Sequence, residues 1–117
     1  MTKNYYVKKS VKYIKELKLS KNALEYYKKL SGQGDLSASK KEKITAKITA
    51  LTNEISAIEG ALSFLSDIEH EIIDKMYISS ERSAEDLCGD IPLERSSIYR
   101  YRKIALEKIS MALFGRI

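Results

Sequence analysis

The chain has 117 residues, a formal net charge of +5, one proline, five glycines and a single cysteine. This length suits one small domain, and the scarcity of helix breakers between long stretches of good helix formers predicts an all-α fold. We expect a cytoplasmic protein, because no apolar run reaches the roughly 18 residues that span a membrane, the N-terminus lacks a signal peptide, and one cysteine cannot form an internal disulfide.

The first predicted element is a strongly basic helix over residues 3–30. Residues 1–30 contain nine lysines and two glutamates, a net charge of +7. Ser20 could begin a second helix or lie inside one long helix, and the spacing leaves both open. Gly32 is predicted to follow the helix, where a left-handed glycine commonly caps the C-terminus. Apolar residues recur at helical spacing along one face: Tyr6, Val11, Ile14, Leu17, Leu24, Tyr27 and Leu30.

The clearest periodicity in the chain predicts a second helix. Its apolar residues are spaced alternately by four and three positions, which is the seam of a coiled coil. This seam needs a partner, either the first helix folded back as an antiparallel hairpin or a second copy of the chain in a homodimer. The short polar loop before it favours the hairpin, so residues 1–65 are predicted to form a helical arm. The seam residues are Ile44, Ile48, Leu51, Ile55, Ile58, Leu62 and Leu65.

A second unit is predicted over residues 66–117, and it opens with two capped helices. Ser66–Glu69 has the spacing of a capping box, at the start of a helix that runs to about Ile78. Ser83–Asp86 repeats the pattern at the start of a short helix. In that short helix Cys88 is predicted to fill a small buried position.

The last helix, predicted over residues 94–114, carries a basic cluster of Arg95, Arg100, Arg102 and Lys103 interleaved with tyrosines. Residues 93–117 contain six basic and two acidic residues, a net charge of +4, whereas residues 66–92 contain two basic and eight acidic residues, a net charge of −6. The short helix, a tight turn and this basic helix have the pattern of a helix-turn-helix, which inserts its second helix into the DNA major groove. Double-stranded DNA is therefore the predicted partner.

Three sequence blocks, in chain order, resemble region 4 of bacterial sigma factors. They are DIEHEIIDKMYI (67–78), SAEDLCGDIPLERSSIYRYRK (83–103) and ALEKI (105–109), which fit the helix before a helix-turn-helix, the helix-turn-helix itself and the end of its recognition helix. The C-terminal half is more similar still to small phage and prophage transcriptional activators of the ArpU/RinA type. The resemblance spans roughly residues 62–115.

This resemblance implies a sequence-specific DNA-binding transcriptional regulator, a phage or prophage late-gene activator that reads the major groove with helix 94–114. The helical arm would dimerise through the 44–65 seam, contact RNA polymerase, or both. The implied inner face is Leu87, Cys88, Ile91, Leu93, Ile98, Tyr101, Ala105 and Ile109. On the opposite face we expect Arg95, Ser96, Tyr99 and Arg100 to contact base edges, and Ser97, Arg102 and Lys103 to contact phosphates.

Two positions depart from the family pattern. Pro92 stands where the turn usually has glycine, and because proline cannot adopt a positive φ the turn must differ in detail. Glu94 stands where serine usually caps the recognition helix, and glutamate is a poorer cap. The resemblance therefore predicts the fold more firmly than it predicts which residues contact the bases.

Two other functions fit a chain of this kind. A DNA-packaging subunit similar to a small terminase also combines a helix-turn-helix with oligomerisation helices, although its DNA-binding module is usually N-terminal. A helical adaptor, such as a sigma mimic, would use the acidic residues 66–92 to bind a protein and would not bind DNA. We expect no enzyme, cofactor or metal, since the chain lacks paired Cys/His ligands, a phosphate-binding glycine loop and a nucleophile with its base.

Overall fold

A computed structural model of the protein describes residues 4–117, and within that range all regular secondary structure is helical. The prediction of an all-α fold is confirmed over these residues, while Lys3, the predicted start of the first helix, lies outside them. No helix in the described range has an apolar stretch long enough to cross a membrane. The helices are α1 (Asn4–Ser31), α2 (Ala38–Leu62), α3 (Asp67–Ile73, continued by a π-helical turn over Asp74–Ile78), α4 (Ala84–Leu87) and α5 (Arg95–Phe114).

Helices α1 and α2 fold back on each other within the chain. α1 is continuous through Ser20, and its 28 residues extend about 42 Å at 1.5 Å per residue. A parallel helix packed on α1 would need a connection as long as α1. The connection over residues 32–37 is too short for that at about 3.5 Å per residue, so α2 runs antiparallel to α1. The two helices pack together, and Lys21 Nζ lies 3.0 Å from Glu59 Oε2 across them.

Gly32 follows the end of α1 as predicted, but the expected left-handed conformation is wrong, because Gly32 has no positive φ. The Gly32 N–H donates to Lys29 O at 3.2 Å and the Gln33 N–H to Leu30 O at 3.1 Å, which tightens the last turn. The Ser31 hydroxyl also donates to Lys28 O at 2.7 Å. These bonds satisfy the terminal carbonyl groups, so no residue there needs a positive φ.

Both predicted capping boxes are confirmed. The Ser66 N–H donates to Glu69 Oε1 at 2.8 Å, and the Glu69 N–H donates to the Ser66 hydroxyl at 3.3 Å. The Ser83 N–H donates to Asp86 Oδ2 at 3.4 Å, and the Asp86 N–H donates to the Ser83 hydroxyl at 3.2 Å. Each pair satisfies backbone donors that a helix start leaves free, so α3 and α4 begin where local sequence places them.

Two clusters of buried side chains form the core. Helix α3 lies between them and contributes Ile73 to the first and Ile72 to the second. The first cluster combines residues from both sides of the predicted boundary at residue 65: Ile14, Leu17, Ile55, Ile58, Ala61, Leu62, Ile73, Ala105, Leu106 and Ile109. The second cluster holds α4 and the start of α5: Ile72, Met76, Ala84, Leu87, Ile91 and Ile98.

The 44–65 seam is therefore partly used inside the chain. Ile55, Ile58 and Leu62 are buried in the first cluster, whereas the other seam residues are only half-buried: Ile44, Ile48, Leu51 and Leu65. The buried part of the seam is the end that lies next to α5. Only the half-buried residues retain surface for a second copy of the chain.

The prediction that Cys88 is buried is wrong, since this side chain is exposed. Helix α4 ends after one turn, at Leu87, and Cys88 is its C-cap. Its thiol donates to Ala84 O at 3.4 Å. The rest of the predicted inner face is buried or half-buried: Leu87, Ile91, Ile98, Ala105 and Ile109 are buried, and Leu93 and Tyr101 are half-buried.

Candidate nucleic-acid interface

The connection between α4 and α5 is a tight turn centred on Pro92. The Leu93 N–H donates to Ile91 O at 2.7 Å, which closes a three-residue turn around the proline. Among residues 4–117 a positive φ occurs only at Gly115, so this turn uses none. The connection thus differs from a glycine-centred turn, as the proline requires.

Arg82 joins this turn to α4. Its guanidinium forms an ion pair with the Asp90 carboxylate and donates through Nη2 to Asp86 O at 3.0 Å. Its own backbone N–H donates to Lys75 O at 3.2 Å, in the π-helical turn. Arg82 therefore links the π-helical turn, α4 and the connection that leads to α5.

The first half of α5 carries the candidate binding residues around one buried anchor. Ile98 is fully buried in the second cluster, and its N–H donates to Glu94 O at 3.0 Å. The Glu94 side chain makes no capping hydrogen bond to any residue of the described chain, which agrees with its predicted weakness as a cap. Five of the seven candidates are exposed, namely Arg95, Ser96, Tyr99, Arg100 and Lys103, while Ser97 and Arg102 are half-buried.

Glu85 of α4 brings two of these candidates together. Its Oε1 lies 3.4 Å from Arg95 Nη1 and accepts a hydrogen bond from the Tyr99 hydroxyl at 3.1 Å. The pKa of the Glu85 carboxyl lies below its usual 4.5, chiefly because its own backbone amide donates to it, with further contributions from Tyr99 and Arg95. The carboxylate therefore holds Arg95 and Tyr99 side by side across the two helices.

Stacking contacts order the remaining arginines. The Arg102 guanidinium carbon lies 5.0 Å from the centre of the Tyr99 ring, and that of Arg100 lies 5.6 Å from the Tyr101 ring. Both distances fall within the range of a cation–π interaction. The Nε–H of Arg102 is buried and has no hydrogen-bond partner in residues 4–117.

Arg102 also lines a depression between α5 and the start of α1. The depression has a volume of about 470 Å³. Its charged lining is Arg102 and Lys103 together with Glu107, and Val7 of α1 forms part of its wall. The basic face of α5 is therefore continuous with the N-terminal end of α1, which is distant from it in the sequence.

An ion pair between a buried carboxylate and an exposed lysine joins the second half of α5 to α3. Glu69 is 4% exposed, and its Oε1 lies 2.7 Å from Lys108 Nζ. Burial alone would raise the pKa of the Glu69 carboxyl, but hydrogen bonds from Lys108 and from Ser66 outweigh it and hold the pKa below its usual 4.5. This residue thus serves both the α3 capping box and the contact with α5.

An open apolar groove lies beside this ion pair. Its volume is about 670 Å³, and Lys108 and Glu107 lie among its lining residues. The exposed apolar side chains in it are Phe64 at 69%, Ile104 at 39%, Met111 at 49% and Ile117 at 44%. An apolar surface of this kind often marks a contact with another protein.

Sequence analysis identified the basic residues of α5 but missed Glu85 and Val7. Glu85 lies 10 and 14 positions before its partners Arg95 and Tyr99, and no helical periodicity links residues on different helices. The only sequence signal for Glu85 is the acidic first turn of α4, and the capping box explains acidic residues there equally well. Within the described part of the chain no group of three or more His, Cys, Asp or Glu side chains could hold a metal ion.

Comparisons with models of known protein families, with curated proteins and with solved structures found no match. The function must therefore be argued from the residues and geometry of this chain.

Proposed function

We propose that this protein is a sequence-specific DNA-binding transcriptional regulator, in which α4, the Pro92 turn and α5 act as a helix-turn-helix. The observation that carries the proposal is the first half of α5, where exposed Arg95, Tyr99 and Arg100 surround the buried anchor Ile98. A recognition helix needs this combination, because its base-reading side chains must project from a helix held rigidly by the domain core.

The proposed roles follow from the chemistry of the side chains. Arg95 and Arg100 are suited to the paired acceptors of guanine in the major groove. Lys103 and Arg102 are suited to phosphate oxygens. Ser96 and Tyr99 would contact base edges and Ser97 would contact a phosphate, as the resemblance implies. Glu85 would hold Arg95 and Tyr99 in place before DNA binds, which lowers the entropy lost on binding.

The regulatory role assigned to the arm is also part of this proposal. A regulator of the phage or prophage late-gene type, acting in the cytoplasm, would use α1 and α2 to contact RNA polymerase or a second copy of the chain. A homodimer through the 44–65 seam would have to use its half-buried residues Ile44, Ile48 and Leu51, because the other end of the seam is covered within the chain.

A gel-shift titration on DNA that flanks the gene tests the proposal. We expect the wild-type protein to bind, and Arg95→Ala with Arg100→Ala to lose discrimination worth about 1–3 kcal/mol for each arginine. Lys40→Ala with Lys41→Ala removes the same charge from exposed positions in α2 and should keep that discrimination. Absence of wild-type binding at low salt, where phosphate contacts are strongest, would overturn the proposal.

The apolar groove beside α5 favours a second candidate function, that of a helical adaptor that binds another protein without DNA. Its exposed Phe64 and Met111 lie outside the proposed base-reading face. An adaptor would keep its protein partner when Arg95 and Arg100 are replaced by alanine, whereas a DNA-reading protein would lose its DNA. The same double variant therefore distinguishes the two functions.

A further inference from the structure

We propose that α1 makes a second contact with DNA, in which Lys8 and Lys12 bind backbone phosphates beside the groove entered by α5. This inference rests on the proposed function and adds to it a surface from the other end of the sequence. The ligand is the phosphodiester backbone of duplex DNA, which carries no sequence information itself but positions the protein on the duplex.

The path of α1 brings its N-terminal turns to the basic face of α5. Ile14 and Leu17 are buried in the first cluster. Seven residues before Ile14, about 10 Å along the helix, Val7 lines the surface depression shared with Tyr99 and Lys103. α1 therefore stays packed on the first cluster as far as Val7, and there it lies next to the candidate binding residues.

Aromatic contacts fix this end of α1 on α5. The rings of Tyr6 and Tyr13 lie 5.7 and 5.8 Å from the ring of Phe114, at the end of α5. Lys9 Nζ lies 5.1 Å from the centre of the same Phe114 ring. Because these contacts hold the first turns of α1 in place, a lysine carried there is positioned before DNA arrives and loses little entropy on binding.

Among the described lysines of these turns, Lys8 and Lys12 are available to a ligand. Both are exposed and one helical turn apart, whereas Lys9 is half-buried and engaged with Phe114. Helices α3 and α4 begin with acidic residues, which the helix dipole favours, whereas α1 has none in its first turn.

The local charge balance suits a polyanion. The depression between the helices is lined by Arg102 and Lys103, with Glu107 as its only carboxylate side chain among the described residues. Lys8 and Lys12 follow Val7 by one and five positions on α1 and are both exposed, so they add basic charge to this end of the helix. Such an excess attracts DNA and makes its binding depend on salt, because each phosphate that is neutralised releases counterions.

The experiment measures the salt dependence of binding to a short fluorescent duplex of mixed sequence, which requires no knowledge of the operator. Lys8→Gln with Lys12→Gln is compared with the wild type and with Lys40→Gln with Lys41→Gln. The control removes the same charge from exposed residues near the start of α2, about 30 Å along that helix from Ala61. Circular dichroism checks that each variant is folded.

Loss of two phosphate contacts should make the slope of log K against log salt shallower by about 1.8, at about 0.9 for each contact. Between about 50 and 200 mM salt the wild type would then lose about twelvefold more affinity than the Lys8/Lys12 variant, and the Lys40/Lys41 control would match the wild type. An unchanged slope in the Lys8/Lys12 variant, or an equal change in the control, would overturn the second contact while leaving the proposed function intact. If the wild type binds no duplex at low salt, it is the proposed function that fails.

Discussion

Replacing Glu69 should destabilise the protein far more than replacing the exposed acidic residue Glu71 two positions later. The Glu69 carboxylate is 4% exposed and accepts hydrogen bonds from Lys108 Nζ at 2.7 Å and from the Ser66 N–H at 2.8 Å. A capping bond contributes about 1 kcal/mol, and a bond to a charged group about 1.5–3 kcal/mol. Lys108 keeps 42% of its side chain exposed and regains water when its partner is lost, so its bond is counted near the lower limit. We expect Glu69→Ala to lower the free energy of unfolding by about 2–4 kcal/mol.

The matched variants separate the parts of this effect. Glu69→Gln keeps an oxygen that can accept the Ser66 N–H but removes the charge that pairs with Lys108, so about half of the loss should remain. Glu71→Ala removes an exposed helical ion pair with Lys75, a loss of about 0.2–0.5 kcal/mol. Urea unfolding of the wild type and the three variants at neutral pH, monitored by circular dichroism, measures the free energy of unfolding of each protein.

The pH dependence supplies a second test. Because folding lowers the pKa of Glu69 below 4.5, the stability it contributes is complete above that value and is lost as the pH falls through the folded-state pKa. The stability difference between wild type and Glu69→Gln should therefore be constant between about pH 7 and 5.5 and decrease below pH 4.5. A Glu69→Ala loss no larger than that of Glu71→Ala, or a difference that does not change in acid, would refute this account of the pair.

Two further substitutions test the interface. Ile98→Ala should lower the free energy of unfolding by about 2–5 kcal/mol, because Ile98 is fully buried, and a thermal melt that is unchanged would contradict its role as the anchor of α5. Glu85→Gln should weaken DNA binding, because the amide still accepts the Tyr99 hydroxyl but no longer pairs with Arg95, which then loses more freedom when DNA binds. A wild-type affinity in this variant would count against the role of Glu85 in holding Arg95.

The positions of the helix starts could be predicted because the interactions that determine them are local. The capping boxes at Ser66 and Ser83 connect residues three positions apart, so the sequence contains both partners of each bond. The failure at Gly32 has the same local character. Glycine is the usual residue past a helix end, but carbonyl groups there can also be satisfied by tightened backbone bonds, and the sequence does not distinguish the two solutions.

The exposure of Cys88 could not be predicted in this way, because it depends on which surface the other helices cover. Cys88 keeps helical dihedral angles as the C-cap of α4, but its thiol is left in solvent. The choice between hairpin and homodimer for the 44–65 seam was open for a similar reason. A periodic apolar stripe requires a partner surface, but its sequence does not say which surface covers it.

For this protein, sequence alone determined the helical class, the two capping boxes and the basic character of α5, since these depend on residue type and on neighbours within one turn. Only the tertiary structure decided that Glu85 holds Arg95 and Tyr99, and that α1 returns to place Val7 beside Lys103. Those contacts depend on how helices separated in the chain cross and pack. The packing of the helices therefore determines which residues border the candidate interface, whereas its central residues on α5 can be identified in the sequence.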